Sequence, residues 1–170
     1  MVLTGIFFSF LIFAPGKVYA TCYTPSEAAA EQGLRLHNEL MVIALNCRHI
    51  QYGKDKVPYQ KYQSFTNRQE EVLKDYESRM INFFKKQGHI NPLKKFNSLR
   101  TDIANDLAGL VVEMRPDVFC YKYLKRLDQA NSMSMQEFRQ WSATYFPNSP
   151  PSKDFCPETF IEPAAGFDKG

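Results

Sequence analysis

The sequence predicts an all-α protein: an up-down four-helix bundle with a short extra helix, an extended Pro-rich C-terminal tail and two disulfides. Three observations carry that expectation. Apolar residues recur at helical spacing through most of the chain, start signals precede three such stretches, and no segment alternates with the period of a strand. The 170 residues, 44% of them apolar, suit one domain with one core.

Residues 1–20 read as a signal peptide. Leu3 to Ala14 (LTGIFFSFLIFA) is almost wholly apolar, yet a helix of that length spans only about 18 Å, short of the ~30 Å hydrocarbon layer. Pro15 and Gly16 break the run, and Val18 and Ala20 supply the small residues before a cleavage point after Ala20. Met1 to Gly5 carries no Lys or Arg, a departure from the usual charged start. No second apolar run of membrane length occurs, so no transmembrane span is expected in the mature chain. Residues 21–146 are then the bundle domain and 147–170 the tail stapled to it.

The first helix starts at Thr24-Pro25-Ser26-Glu27, where a capping threonine, a first-turn proline and a capping-box glutamate agree. Its apolar stripe (Leu34, His37, Met41, Ala44 and Leu45, widened by Leu36, Leu40 and Ile43) is broad enough for more than one neighbour. Ile50 to Pro58 reads as a loop. A second helix is expected from about Tyr59 to Gln87, apolar at Val72, Leu73, Tyr76, Met80, Phe83 and Phe84. Gly88 stands where a helix ends, with Lys85 and Lys86 suiting the last turn's partial negative charge.

Asn91-Pro92 repeats the start signal, and Phe96, Leu99, Ile103, Leu107, Leu110 and Met114 then follow at spacings of 3, 4, 4, 3 and 4, one clean face. Pro116 breaks the chain, and a shorter fourth helix runs to about Ala130. Ser134 to Glu137 is another capping box, opening a brief helix with Phe138 and Trp141 on one side. From Phe146 onward prolines dominate and periodicity ends.

Four cysteines allow three pairings, and composition alone leaves them open. Bundle topology narrows the choice. Cys22 lies where the first helix begins and Cys47 where it ends, a full helix length apart, against the ~6 Å a disulfide spans. Cys47 falls instead beside the corner that carries Cys120, leaving Cys22 for Cys156 in the returning tail. None forms a C-x-x-C pair, so zinc-ribbon and thioredoxin-like readings lack their signature. The absence of any N-x-S/T triplet leans toward a bacterial periplasmic source.

Chemistry is sparse. Twenty-one basic against eighteen acidic residues give a formal charge of +3, too balanced for a nucleic-acid binder. No H-E-x-x-H, G-x-S-x-G, S-x-x-K or Gly-rich phosphate loop occurs. Cys47 and His49 resemble a Cys/His pair, but a disulfide removes the thiol. No catalytic residue, metal ligand or cofactor is therefore assigned. Two alternatives stay open: a haem- or metal-binding bundle built on His37 and Met41, and a small hydrolase using Asp102 and Asp106, one helical turn apart. Against them stand a hydrogen-bonded core histidine and a solvated helix face.

Two surface features remain. Lys85, Lys86, His89, Lys94 and Lys95 gather within eleven residues. They suit either solubility or an anionic partner: lipid headgroups, a cell-wall polymer or an acidic protein. Tyr52, Tyr59, Tyr62 and Phe65 near the first loop, with Phe155, Phe160 and Phe167 in the tail, read as seals of the bundle ends, with binding anchors as the alternative.

The runs CYTPSEAAAEQGLRLHNELMVIALNC and RPDVFC resemble an uncharacterised group of short exported bacterial proteins with a helical, cysteine-stapled domain. The likeness covers about half of the mature chain and implies export and a helical fold, but no active site. A looser similarity of plan links the chain to small periplasmic immunity or inhibitor proteins, and no residue carries across. The expectation is a non-enzymatic periplasmic or secreted protein, a binding, inhibitor or envelope-associated module. Its partner would be another envelope protein or an anionic envelope component, not nucleic acid.

Overall fold

Proline opens four of the described helices at the first helical turn, where its missing N–H leaves no intrahelical bond unmade. The structure is a computed structural model that describes residues 22–50, 57–144, 146 and 150–157. The expected leader, the loop at 51–56 with Tyr52, and the tail beyond 157 with Phe160 and Phe167 lie outside the described residues. The helices are α1 (Pro25–Asn46), α2 (Pro58–Arg68), α3 (Glu70–Lys86), α4 (Pro92–Glu113), α5 (Pro116–Ser132) and α6 (Met135–Ala143). Both expected capping boxes form: Glu27 accepts from the Thr24 N–H at 2.9 Å, and Glu137 from the Ser134 N–H at 2.7 Å. Asn91 caps α4 by accepting from the Lys94 N–H at 2.9 Å.

The all-α class and both disulfides are as the sequence predicts. Among the described residues there is no strand, only a lone parallel bridge between Tyr23 and Phe155. Cys47–Cys120 and Cys22–Cys156 are joined, across sequence separations of 73 and 134 residues.

The breadth of the α1 stripe has its counterpart in space, because α1 packs against every one of α2 to α6. Gly33 is what lets two of them close in. A Cβ there would stand 2.3 Å from the Tyr76 ring of α3 and 2.9 Å from the Ser142 hydroxyl of α6. The ring has little room to retreat, being buried and packed against Phe138 at 5.9 Å. Polar residues on α1 are buried too: Asn38 donates to the Leu34 carbonyl of its own helix at 3.0 Å, and others serve an element's end. Gln32 donates to the carbonyls of Trp141 and Thr144 (3.2 and 2.7 Å), satisfying the open end of α6.

The stretch expected as one helix from Tyr59 to Gln87 is two. It breaks at Gln69, which has φ −96° and ψ 8°. The cause is long-range. The fully buried Gln69 side chain donates to the Met133 carbonyl at 3.0 Å, where α5 ends, and Arg68 donates to the carbonyl and side-chain oxygens of Asn131. The chain is thus pinned to the α5–α6 corner at the point where its second partner, beside the shared α1, changes from α5 along α2 to α4 along α3. The expected four helices and one short extra helix therefore become six described helices.

The clean face expected on α4 is only partly used. Phe96 and Ile103 are buried, whereas Leu99, Leu107, Leu110 and Met114 are half-buried and Val112 is exposed. α4 lies along α1 and α3 but touches α5 sparsely, so its last turns have cover on one side only.

Candidate functional site

The lysine cluster sits on a turn built without slack. At the end of α3 the Gly88 N–H donates to the Lys85 carbonyl at 3.0 Å and the His89 N–H to the Phe84 carbonyl at 3.2 Å. Those are the two bonds of a Schellman closure. It requires a left-handed residue, supplied by Gly88 at φ 78°. The His89 ring packs edge-on against Phe84, with centroids 5.6 Å apart, giving the apolar contact that accompanies such closures. Two residues later the Asn91 cap and Pro92 start α4. Between these fixtures Ile90 is 104% exposed, and Leu93 is 55% exposed one residue into the helix.

Lys85, Lys86, His89, Lys94 and Lys95 all stand exposed around that turn. Lys86 lies 3.6 Å from Glu27, a carboxylate already engaged in capping α1. Lys85, Lys94 and Lys95 form no ion pair with a described residue. From Ser78 to Thr101 the chain contains no Asp or Glu at all. The Lys86–Glu27 pair also shows that the turn and the start of α1 share one end of the molecule.

The tail is strapped across that same end. Beside the Cys22–Cys156 disulfide, the Tyr23 N–H donates to the Asp154 carbonyl at 2.8 Å and the Cys156 N–H to the Tyr23 carbonyl at 2.9 Å. Beneath the strap lies Glu31, a fully buried carboxylate of α1. It accepts the Ser152 N–H at 2.9 Å, the Ser152 hydroxyl, and the Arg35 Nε–H at 2.7 Å. Burial alone would raise the Glu31 carboxyl, but hydrogen bonds from Ser152 and Tyr23 and the Arg35 charge outweigh it and leave it lowered. The Tyr23 phenol, buried beside this carboxylate, is pushed well above its usual range, first by burial and then by the Glu31 charge. Lys153 lies over the Phe83 ring at 5.9 Å, bringing a further cation to this end.

The other candidate residues are scattered. His37 is turned onto α2, its Nε2 3.0 Å from the Tyr62 hydroxyl with the two rings stacked. Its pKa is pushed down to about 4, first by burial and then by the positive Arg100. Met41 is half-buried one turn on. Asp102 and Asp106 both stand exposed on α4, without the burial that would set two carboxyls apart for acid–base work. Among the described residues no three His, Cys, Asp or Glu side chains converge as a metal site would need. A crevice between Leu36, Arg126, Ala130, Met133 and Trp141 has a volume of about 70 Å³, far below the few hundred Å³ typical of ligand pockets. Of the aromatic seals, Phe65 is buried, Tyr62 and Phe155 half-buried, and Tyr59 exposed.

Sequence reasoning found the lysines and missed what surrounds them. Glu31 was legible in principle, since it falls at helical spacing on the inward face between Glu27 and Leu34. Ile90 and Leu93 were legible as apolar residues in a turn framed by two lysine pairs. No family model matches the chain, and no match is found among curated proteins or solved structures. Among the described residues, no helix is long and apolar enough to cross a membrane.

Proposed function

We propose that this chain is an exported, disulfide-stapled helical module that acts through its surface, and that the basic end carrying Lys85, Lys86, His89, Lys94 and Lys95 is the surface it uses to hold an anionic partner. Export is supported by the two disulfides, which persist in oxidising compartments, and by the leader-like residues 1–20. The observation that carries the choice of surface is positive charge left uncompensated on a rigid turn. Three lysines there have no ion-pair partner among the described residues and lie in a run without Asp or Glu. By contrast, Lys61, Lys74, Arg79, Arg126 and Arg139 each hold a carboxylate, and the other unpaired lysines of α5, Lys122 and Lys125, share their helix with Asp117 and Asp128. Fixed like charges without counterions raise the local potential and favour anions at that spot.

The test separates this patch from net charge. Lys94→Gln/Lys95→Gln and Lys122→Gln/Lys125→Gln remove the same charge from two different faces. On an immobilised polyanion such as polyglutamate, the first pair should elute at distinctly lower salt than the parent and the second close to it. Equal shifts would make retention a property of overall charge and remove the proposed surface.

A further inference from the structure

We infer that the partner at this end is a bilayer bearing anionic headgroups, with Ile90 and Leu93 entering the headgroup layer while the lysines remain at its surface. The inference rests on the anionic-partner reading and adds to it what lysines alone do not specify. A soluble acidic chain would require only the charges. It gives no reason for two aliphatic side chains to project from the point of the turn.

Three observations favour a lipid surface. Ile90 is exposed over its whole side chain and Leu93 over about half, and both lie between the Lys85–Lys86 and Lys94–Lys95 pairs. An apolar tip collared by amines matches the order of an interface, with acyl chains innermost and phosphates outside them. The turn holds its shape before contact, through the Gly88 closure, the Asn91 cap and Pro92. Little ordering entropy then remains to oppose binding. Finally, the acid-free run from Ser78 to Thr101 spares the approaching surface any repelling carboxylate on α3 or α4 near the turn. Neither signal suffices alone. One or two aliphatic side chains bind a bilayer weakly, and a handful of lysines bind only where the lipid is charged.

The experiment uses the oxidised chain with vesicles of phosphatidylcholine alone, vesicles containing phosphatidylglycerol, and soluble polyglutamate. The anionic vesicles should sediment the protein and the neutral ones should not, with binding lost near ~0.5 M salt, where the Debye length is only a few ångströms. Ile90→Ser/Leu93→Ser should weaken vesicle binding roughly tenfold or more and leave polyglutamate retention unchanged. Both side chains are exposed, and an unchanged circular-dichroism melt would confirm that the variant folds. Vesicle binding unaffected by the serine pair would overturn the bilayer assignment while leaving the basic surface standing. Binding to polyglutamate but to no vesicle would do the same in favour of an acidic protein. Failure to bind either would remove both readings together.

Discussion

The two disulfides close the two ends of α1 in different ways. Cys47–Cys120 is fully buried and joins two helices inside the core, with His37 stacked on Tyr62 about three helical turns from Cys47 on the same helix. Cys22–Cys156 is half-exposed and joins the start of α1 to a strap that adds backbone bonds and the Glu31–Ser152 contacts to its hold. The first bond belongs to the packing and the second to a fastening laid over it. The contrast shows how one chain keeps a fixed core and still presents a shaped, charged end.

The largest expected effect comes from deleting one bridge at a time. Cys47→Ala/Cys120→Ala should reduce unfolding free energy by about 4 kcal/mol on the chain-entropy account, with a further loss from the buried gap left by two sulfurs. On the same account the longer Cys22–Cys156 loop would be worth about 5 kcal/mol. The net loss from Cys22→Ala/Cys156→Ala should nevertheless be smaller, because the half-exposed bridge leaves no buried gap and the strap can gain its own freedom by leaving while α1 to α6 stay packed. Denaturant midpoints of the two variants make the comparison; a more damaging strap deletion would reverse the assignment of core and fastening.

A smaller effect is expected from pH, and it differs between the two regions. The His37 imidazole titrates near 6.5 when unfolded and at about 4 when native, so the native state binds fewer protons between those values. Stability should therefore fall as pH drops through 6.5, levelling below about 4, by on the order of 3 kcal/mol at most. His37→Gln should flatten that slope. Glu31 acts in a lower window. Its native pKa lies below the unfolded 4.5, so its contribution is full above that value and is lost as pH falls through the native one. Hydrogen exchange at the Cys156 amide, which the strap bonds to Tyr23, should stay slow until that lower window is reached. Acceleration already near pH 6 would show that the strap answers to another group.

Features that depend on neighbours in sequence were legible: the proline starts at Pro25 and Pro92, two capping boxes, the Gly88 closure, and a disulfide pairing that follows once helix ends are placed. Features that depend on distant partners were not. Nothing between Tyr59 and Gln87 marks Gln69 as a break, because the carbonyl it serves belongs to Met133, 64 residues on. The face of α4 looked uniform because periodicity says which residues share a side and not whether a neighbour covers it. At the candidate surface the charges were visible as a run. The exposure of Ile90 and the buried carboxylate under Ser152 required the fold.

The most direct test of the two-ended account is graded reduction of the native protein, followed by alkylation and peptide mapping. The half-exposed bridge should open first, labelling Cys22 and Cys156 while the Cys47–Cys120 peptide stays linked until the helices melt. Labelling of Cys47 or Cys120 at the same reductant concentration, or any linkage other than these two, would contradict it.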